Sequence, residues 1–445
     1  MLGDYPLKGR RASEIAAHIE QGVSSGKVAP GTALPPLRDL AVELGVNPNT
    51  VAAAYRLLRD RGVIETAGRR GSRILPRPAL TPRDEIRIPV PPHARDLSTG
   101  NPDPALLPDL TRALAAAAEA ARTDPVLYGH AAVDPRLRAL ARASFEAAGL
   151  PAGPVVVASG SLDTIERILG TRLRPGDAVA VEDPGWGSLL DLLPALGLKP
   201  VPVRLDDEGP LPASLDAALA DGVRAVVVTS RAQNPTGAAL TARRAEALRA
   251  VLAGHPGVLL IEDDHGHGMV DRPYHPLVAA STRHWAVVRS AAKAYGPDLR
   301  ISVAVGDEET IGRVAGRLRL GAGWVSHLLQ RTLAELWRAD AAPVDRVAAA
   351  YRVRRDALLG ELAARGIGAH GESGLNVWVP VPDETSVLAA LVQRGWVAAP
   401  GARYRIQSPP GVRFTTAGLE PARARELAED LAAVLGAGAG GSRLV

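Results

Sequence analysis

The apolar positions of this chain follow two different rhythms. Near the start they recur at helical spacing: Ile15, Ile19 and Val23 mark one face of a helix that Gly26 ends. A second helix is expected over Leu37–Leu44, closing at Gly45. In the following stretch Asn47 has the side chain of an N-cap, Pro48 fits a first helical turn, and Val51, Tyr55 and Leu58 share one face up to Gly62. Two short helices across a glycine turn predict a helix-turn-helix. Residues 63–66 and 72–75, joined by a tip at 67–71, then predict a two-stranded wing. Pro82, Pro89, Pro91 and Pro92 interrupt any periodicity over 78–96, which makes that segment an extended linker able to span at most about 60 Å.

Beyond residue 96 the rhythm changes to short, continuous apolar runs, at 155–158, 178–181, 225–229, 258–261 and 286–288, separated by helical stretches. Such runs predict a mainly parallel sheet buried on both faces, with ligands held beyond the carboxyl ends of the strands. The fold class is therefore α/β. The expected divisions are a helix-turn-helix head at 1–77, the linker at 78–96, the α/β body at 97–435 and a flexible Gly/Ala-rich tail at 436–445.

Charge separates the head from the body. Of the 445 residues, 52 are Lys or Arg and 48 are Asp or Glu, yet residues 1–77 alone hold twelve basic against seven acidic side chains. The remainder holds 40 against 41, so the basic excess belongs to the head and suits duplex DNA. The absence of cysteine excludes a disulfide framework and a cysteine zinc cluster, and no metal site is expected. With neither a signal peptide nor a long apolar span in the sequence, the cytoplasm is the expected location.

Lysine is scarce, at positions 8, 27, 199 and 293 only. A chain that uses arginine for nearly every positive charge and places a lysine after an apolar run suggests that an amine is needed. A lysine can lose its proton and attack a carbonyl, whereas an arginine cannot. Lys293 is therefore the candidate Schiff-base residue, with a solvated surface lysine as the structural alternative. Ser159-Gly160-Ser161 lies between an apolar run and a helix beginning near Leu162, where amides and hydroxyls suit a phosphate. A structural strand-to-helix turn is the alternative there.

The spacing Ser290-x-x-Lys293-x-x-x-Pro297-x-Leu299-Arg300 resembles the signature of fold type I pyridoxal 5'-phosphate (PLP) proteins, the aspartate aminotransferase superfamily. That resemblance implies a large, mainly parallel domain, a small C-terminal α+β domain and PLP as cofactor. It gives Lys293 to the aldehyde, and Ser161, Leu162, Ser290 and Arg300 to the phosphate. Trp186 would stack on the pyridine ring, although Trp186-Gly187 replaces the usual Tyr-Pro. Asn234, in Asn234-Pro-Thr-Gly237, would donate to the phenolic oxygen, and Asp263 would pair with the pyridine nitrogen. His265 stands where most relatives have tyrosine, as in a PtsJ-like subgroup with Asp-Asp-His, and would donate to the same phenolic oxygen. Tyr128 would reach the phosphate in a neighbouring subunit, which implies a homodimer, and Arg413 would clamp the carboxylate of an effector.

In the head, Leu34-Pro-Pro-Leu-Arg38 before the second helix resembles the winged helix-turn-helix of GntR-type repressors, with Pro36 where that family has serine. By this resemblance the DNA contacts are Arg38, Asn49, Thr50 and Arg56, with Arg69, Arg70 and Ser72 from the wing. Together the two parts resemble the MocR subfamily of GntR-type regulators. The implied function is transcription regulation by a DNA-binding protein that senses PLP, or a small amine or amino acid, through a Lys293 aldimine. Vitamin B6 or amino-acid metabolism is the expected target, and transamination is expected to be slow or absent. An active aminotransferase with an accessory DNA-binding domain is the alternative.

Overall fold

A computed structural model of the chain describes residues 5–24, 27–29, 31–60, 63–66, 71–74 and 90–440. Arg69 and Arg70 of the wing tip, and the linker up to residue 89, lie outside these residues.

In the head, helices α1 (Ala12–Ser24), α2 (Leu37–Leu44) and α3 (Pro48–Asp60) precede the strands β1 (Ile64–Thr66) and β2 (Ser72–Ile74). Ile15, Ile19, Leu40, Val51, Ala54 and Leu58 are fully buried together, so the four-residue spacing in the sequence is the inward face of a three-helix core. Gly45 closes α2 with φ +63°, a left-handed conformation that favours glycine. The Oδ1 of Asn47 accepts from the Asn49 amide at 2.9 Å and caps α3. The wing pairs β1 with β2 antiparallel, Ile64 opposite Ile74. Backbone bonds from Leu34 to Ser72 and from Ile74 to Thr32 add the segment before α2 to its edge.

The body begins with β3 (Arg95–Asp96), α4 (Thr111–Thr123) and α5 (Pro135–Ala147). There follow β4 (Val155–Ala158), α6 (Ser161–Arg172), β5 (Ala178–Asp183), α7 (Gly187–Ala195), β6 (Lys199–Asp206), β7 (Gly209–Pro210), α8 (Pro212–Ala220) and β8 (Ala225–Thr229). Next come α9 (Ala242–Ala253), β9 (Leu259–Asp263), β10 (His284–Ser290), α10 (Ala292–Tyr295), β11 (Ser302–Gly306), α11 (Glu308–Arg319), α12 (His327–Arg338) and α13 (Val344–Ala363). The C-terminal part holds β12 (Asn376–Pro380), α14 (Glu384–Gln393), β13 (Trp396–Val397), β14 (Ala399–Pro400), β15 (Gly411–Thr415) and α15 (Ala424–Gly440).

Eight strands form the main sheet in the order β4-β11-β10-β9-β8-β5-β6-β7. The run β5, β8, β9, β10 is parallel, and every residue of β8 and β9 is buried. That is why these strands read as continuous apolar runs with no alternation. Strand β11 runs antiparallel between β4 and β10. Its return direction is what sets Arg300 beside the loop after β4.

The C-terminal part packs the antiparallel sheet β12-β15-β14 with α13, α14 and α15 around Phe414, Val377, Leu362 and Leu427. Two expected boundaries differ. Arg95 and Asp96, assigned to the linker, pair in parallel with Trp396 and Val397, so the linker ends in a strand. The Gly/Ala run assigned to a flexible tail from 436 is helical through Gly440, as the end of α15. No helix among the described residues is long and apolar enough to cross a membrane.

Candidate cofactor site and DNA-binding face

The carboxyl ends of β4, β5, β8, β9 and β10 carry the polar residues of the body. Lys293 sits on α10, directly after β10, and its Nζ donates to the carbonyl of Gly100 at 2.5 Å. Lys199, by contrast, is exposed at the start of β6. Arg413 on β15 reaches the same glycine, since a Cβ added to Gly100 would meet its Nη2 at 3.2 Å. The Arg413 guanidinium also donates to Asn234 Oδ1 at 3.0 Å and to the Ser98 carbonyl at 2.5 Å, and it lies 4.9 Å from the centre of the Tyr404 ring. Lys293, Asn234 and Arg413 therefore converge around Gly100, although 193 residues separate Gly100 from Lys293.

A second group forms where β4 meets β11. Arg300, with φ +48°, donates from Nη2 to the Ser159 carbonyl at 3.0 Å. Gly160 has φ +101°, and a Cβ there would lie 2.9 Å from that Nη2, so only glycine fits this cradle. Helix α6 begins at Ser161, with Leu162 in its first turn, so the first-turn amides face out of the helix end. The hydroxyl of Ser161 is buried with no hydrogen-bond partner. Ser290 is buried at the end of β10, and its Oγ accepts from the Ala292 amide at 3.1 Å.

At the end of β9 the backbone places Asp263 between Thr229 of β8 and Val288 of β10. One carboxylate oxygen, Oδ2, lies 3.2 Å from His265 Nδ1, and the other, Oδ1, is buried with no partner. The remaining nitrogen of His265, Nε2, lies 2.8 Å from the Ala232 carbonyl. His265 was expected to donate to a phenolic oxygen, but both of its ring nitrogens have partners inside the chain. Trp186 is half-buried just before α7, in a segment that Asp183 anchors by accepting from the amides of Ile406, Gln407 and Ser408. Tyr128 stands apart, 94% exposed, with its ring edge on Trp324 at 5.7 Å.

These residues fit PLP. An acceptor without a donor at Asp263 and a hydroxyl without a partner at Ser161 are costly to bury, and the cofactor carries groups that complement both. A ring N–H would satisfy Oδ1. Phosphate oxygens would occupy the end of α6, with Ser290 and Arg300 beside it.

Several supporting residues were not foreseen from the sequence. Asp264 is fully buried in a bidentate pair with Arg231, at 2.9 and 2.8 Å, and accepts from Arg289 Nε at 3.1 Å. Both guanidinium groups also face the Tyr274 ring at 5.7 Å. Glu262 precedes Asp263 and Glu182 precedes Asp183, each by one position, and alternation along a strand turns each glutamate to the face opposite its aspartate. That alternation was the available signal. Glu262 accepts from the amides of Leu277 and Val278 and from the Tyr274 hydroxyl, and Glu182 from the Thr229 amide and the Gln233 side chain. Burial outweighs these bonds and pushes each carboxyl up to about 7.

In the head, Arg38, Asn49 and Arg56 are exposed and Thr50 and Ser72 are half-buried. Asn49, Thr50 and Arg56 belong to α3, whose other face packs through Val51, Ala54 and Leu58. This is the layout of a recognition helix beside a wing.

The two parts thus define a winged helix-turn-helix joined to an aminotransferase-type body. Residues 11–74 match the family of bacterial regulatory proteins of the gntR type, and residues 93–431 match aminotransferase class I and II. The chain belongs to the MocR-type branch of the GntR family, DNA-binding transcriptional regulators with an aminotransferase-like body. It is 40% identical over 432 residues to the vitamin B6 salvage pathway transcriptional repressor PtsJ of Salmonella typhimurium, covering 96% of this chain and 98% of that one. It is 30% identical to the transcriptional regulator TauR of Rhodobacter capsulatus, covering 86% and 87%. Among solved structures, Thermus thermophilus aspartate aminotransferase with maleate superposes with a TM-score of 0.67 at 26% identity, covering 77% of this chain and 92% of that one. A multiple substrate aminotransferase from Thermococcus profundus shares the fold with a TM-score of 0.71 at 19% identity, covering 79% and 93%.

The raised Glu262 carboxyl gives a pH test of the site's foundation. Its ordinary value is 4.5, so the folded protein binds the extra proton between that value and about 7. Its contribution to stability is complete below 4.5 and is lost as pH rises through about 7. Urea unfolding of wild type and E262Q between about pH 5 and 8 should show the wild type losing up to about 3 kcal/mol relative to the variant as pH rises. A pH-independent difference contradicts this.

Proposed function

We propose that this regulator holds PLP covalently at Lys293 and that occupancy of the body changes how the head binds DNA. The observation that carries this reading is the pair of buried atoms without partners, Ser161 Oγ and Asp263 Oδ1, in the residues that would hold the two ends of the cofactor. Ser161, Leu162, Ser290 and Arg300 hold the phosphate, Asp263 holds the ring nitrogen, and Trp186 and Asn234 flank the ring. When bound, PLP supplies an aldehyde that joins reversibly to an amine. Lys293 presents that amine, and a small amine or amino-acid effector competes with it. Arg413 orients the effector carboxylate, because a planar guanidinium matches it with two parallel bonds.

The protein acts as a homodimer in the cytoplasm, where its DNA lies. Support for the dimer comes from Tyr128, whose exposure suits a residue completing a neighbour's phosphate site. Vitamin B6 metabolism is the regulated process that the similarity to PtsJ favours. An output in DNA binding requires only that PLP or its effector bind two conformations with different affinity, and the departures at His265 and Trp186-Gly187 favour slow or absent transamination.

Borohydride reduction of the purified protein with PLP, followed by peptide mapping, should place the cofactor on the peptide containing residue 293. K293A and K293R should both lose the adduct, because arginine keeps the charge without an accessible nucleophilic amine. An adduct at Lys199, or at no lysine, rejects the assignment.

For the head, gel-shift titration should give affinity that falls steeply with salt, since phosphates provide much of the binding. Substituting Asn49 or Thr50 should change preference at particular base pairs by about 1–3 kcal/mol, whereas R38A should weaken binding to all sequences alike. Uniform weakening by Asn49 and Thr50 variants contradicts the placement of α3 in the major groove.

A further inference from the structure

His265 stands immediately beyond the acidic end of β9, and its hydrogen bonds account for both of its nitrogens. A backbone carbonyl can only accept, so Nε2, at 2.8 Å from the Ala232 oxygen, carries a hydrogen. Nδ1 lies 3.2 Å from Asp263 Oδ2, in hydrogen-bond reach of that oxygen.

Both partners are themselves held in place. Ala232 has φ +55°, a left-handed conformation that is uncommon for a residue with a side chain. Its amide donates to Ser373 Oγ at 2.8 Å, and that hydroxyl donates on to the Gly237 carbonyl at 3.0 Å. A Cβ at Gly374 would lie 2.6 Å from the Ala232 Cβ, so the neighbouring turn closes tightly over it. The acceptor for Nε2 is therefore built from two distant parts of the body. Asp263 is 2% exposed and fixed by its strand neighbours, leaving Oδ1 as its one oxygen without a partner.

We propose that His265 is a positioning residue that acts on the cofactor's ring nitrogen through Asp263, rather than a donor to the phenolic oxygen. The hydrogen bond from the imidazole occupies Oδ2 and fixes the orientation of the Asp263 carboxyl group. Only Oδ1 is then left to accept the ring N–H. The inference rests on the cofactor reading above and adds to it a residue that aims Asp263 Oδ1 at the ring nitrogen.

The test compares three ligands on full-length apoprotein: PLP, the carbocyclic analogue with C–H in place of the ring nitrogen, and the analogue lacking the phenolic oxygen. Dissociation constants are measured for wild type, H265A and H265N. Wild type should prefer PLP over the carbocyclic analogue by about tenfold or more, the scale of a buried charge-assisted hydrogen bond. H265A should lose most of that ratio while leaving unchanged the ratio between PLP and the analogue without the phenolic oxygen. H265N, whose amide can still donate to Oδ2, should recover part of the nitrogen preference, which loss of packing alone would not produce.

An undiminished nitrogen preference in H265A overturns the proposal, as does a loss confined to the phenolic comparison or an H265N that behaves as H265A does. If wild type binds none of the three ligands, the cofactor reading itself fails and takes this inference with it.

Discussion

The body is governed by the need to satisfy five carboxylates buried at the carboxyl edge of its sheet: Glu182, Asp183, Glu262, Asp263 and Asp264. A buried charge without partners costs several kcal/mol, so each one dictates what surrounds it. Asp264 draws in two arginines, Glu262 fixes the loop at 277–278 and Tyr274, Glu182 takes the amide at the end of β8, and Asp183 gathers the loop at 406–408. Through these bonds the acidic edge ties together β5, β8, β9, β10 and the C-terminal segments. Of the five, Asp263 alone retains a buried oxygen with no donor. The neighbouring carboxylates are matched within the chain, and that one open acceptor fits a donor from the proposed cofactor.

Much of this was legible in the sequence because the fold rests on local signals. Continuous apolar runs identify strands buried on both faces, and the polar residues that follow them fall at the ligand-binding edge. The rarity of lysine drew attention to residue 293, and the spacing from Ser290 to Arg300 carried the rest. In the head, Asn47, Pro48 and Gly45 are start and stop signals whose geometry the structure reproduces.

What remained hidden depends on contacts between distant segments. Nothing near Gly100 announces that its carbonyl meets Lys293, and nothing near Ala232 shows that its carbonyl meets His265. The position of His265 relative to tyrosine in relatives suggested a direct role toward the phenolic oxygen. A shorter ring that bonds back to Asp263 and across to a strained turn has a different geometric reach. Buried arginines such as Arg231 and Arg289 were equally hidden, because arginine is abundant throughout the chain.

Joining a DNA-reading head to a body with this site is useful only if ligand binding in one changes the behaviour of the other, a coupling free energy between two sites. The direct measurement is footprinting of the purified protein on the DNA upstream of its own gene, with and without PLP. A change in protection on adding PLP that is absent in K293A is the predicted result. Protection that is identical with and without PLP, or a K293A protein that responds as wild type does, contradicts the account.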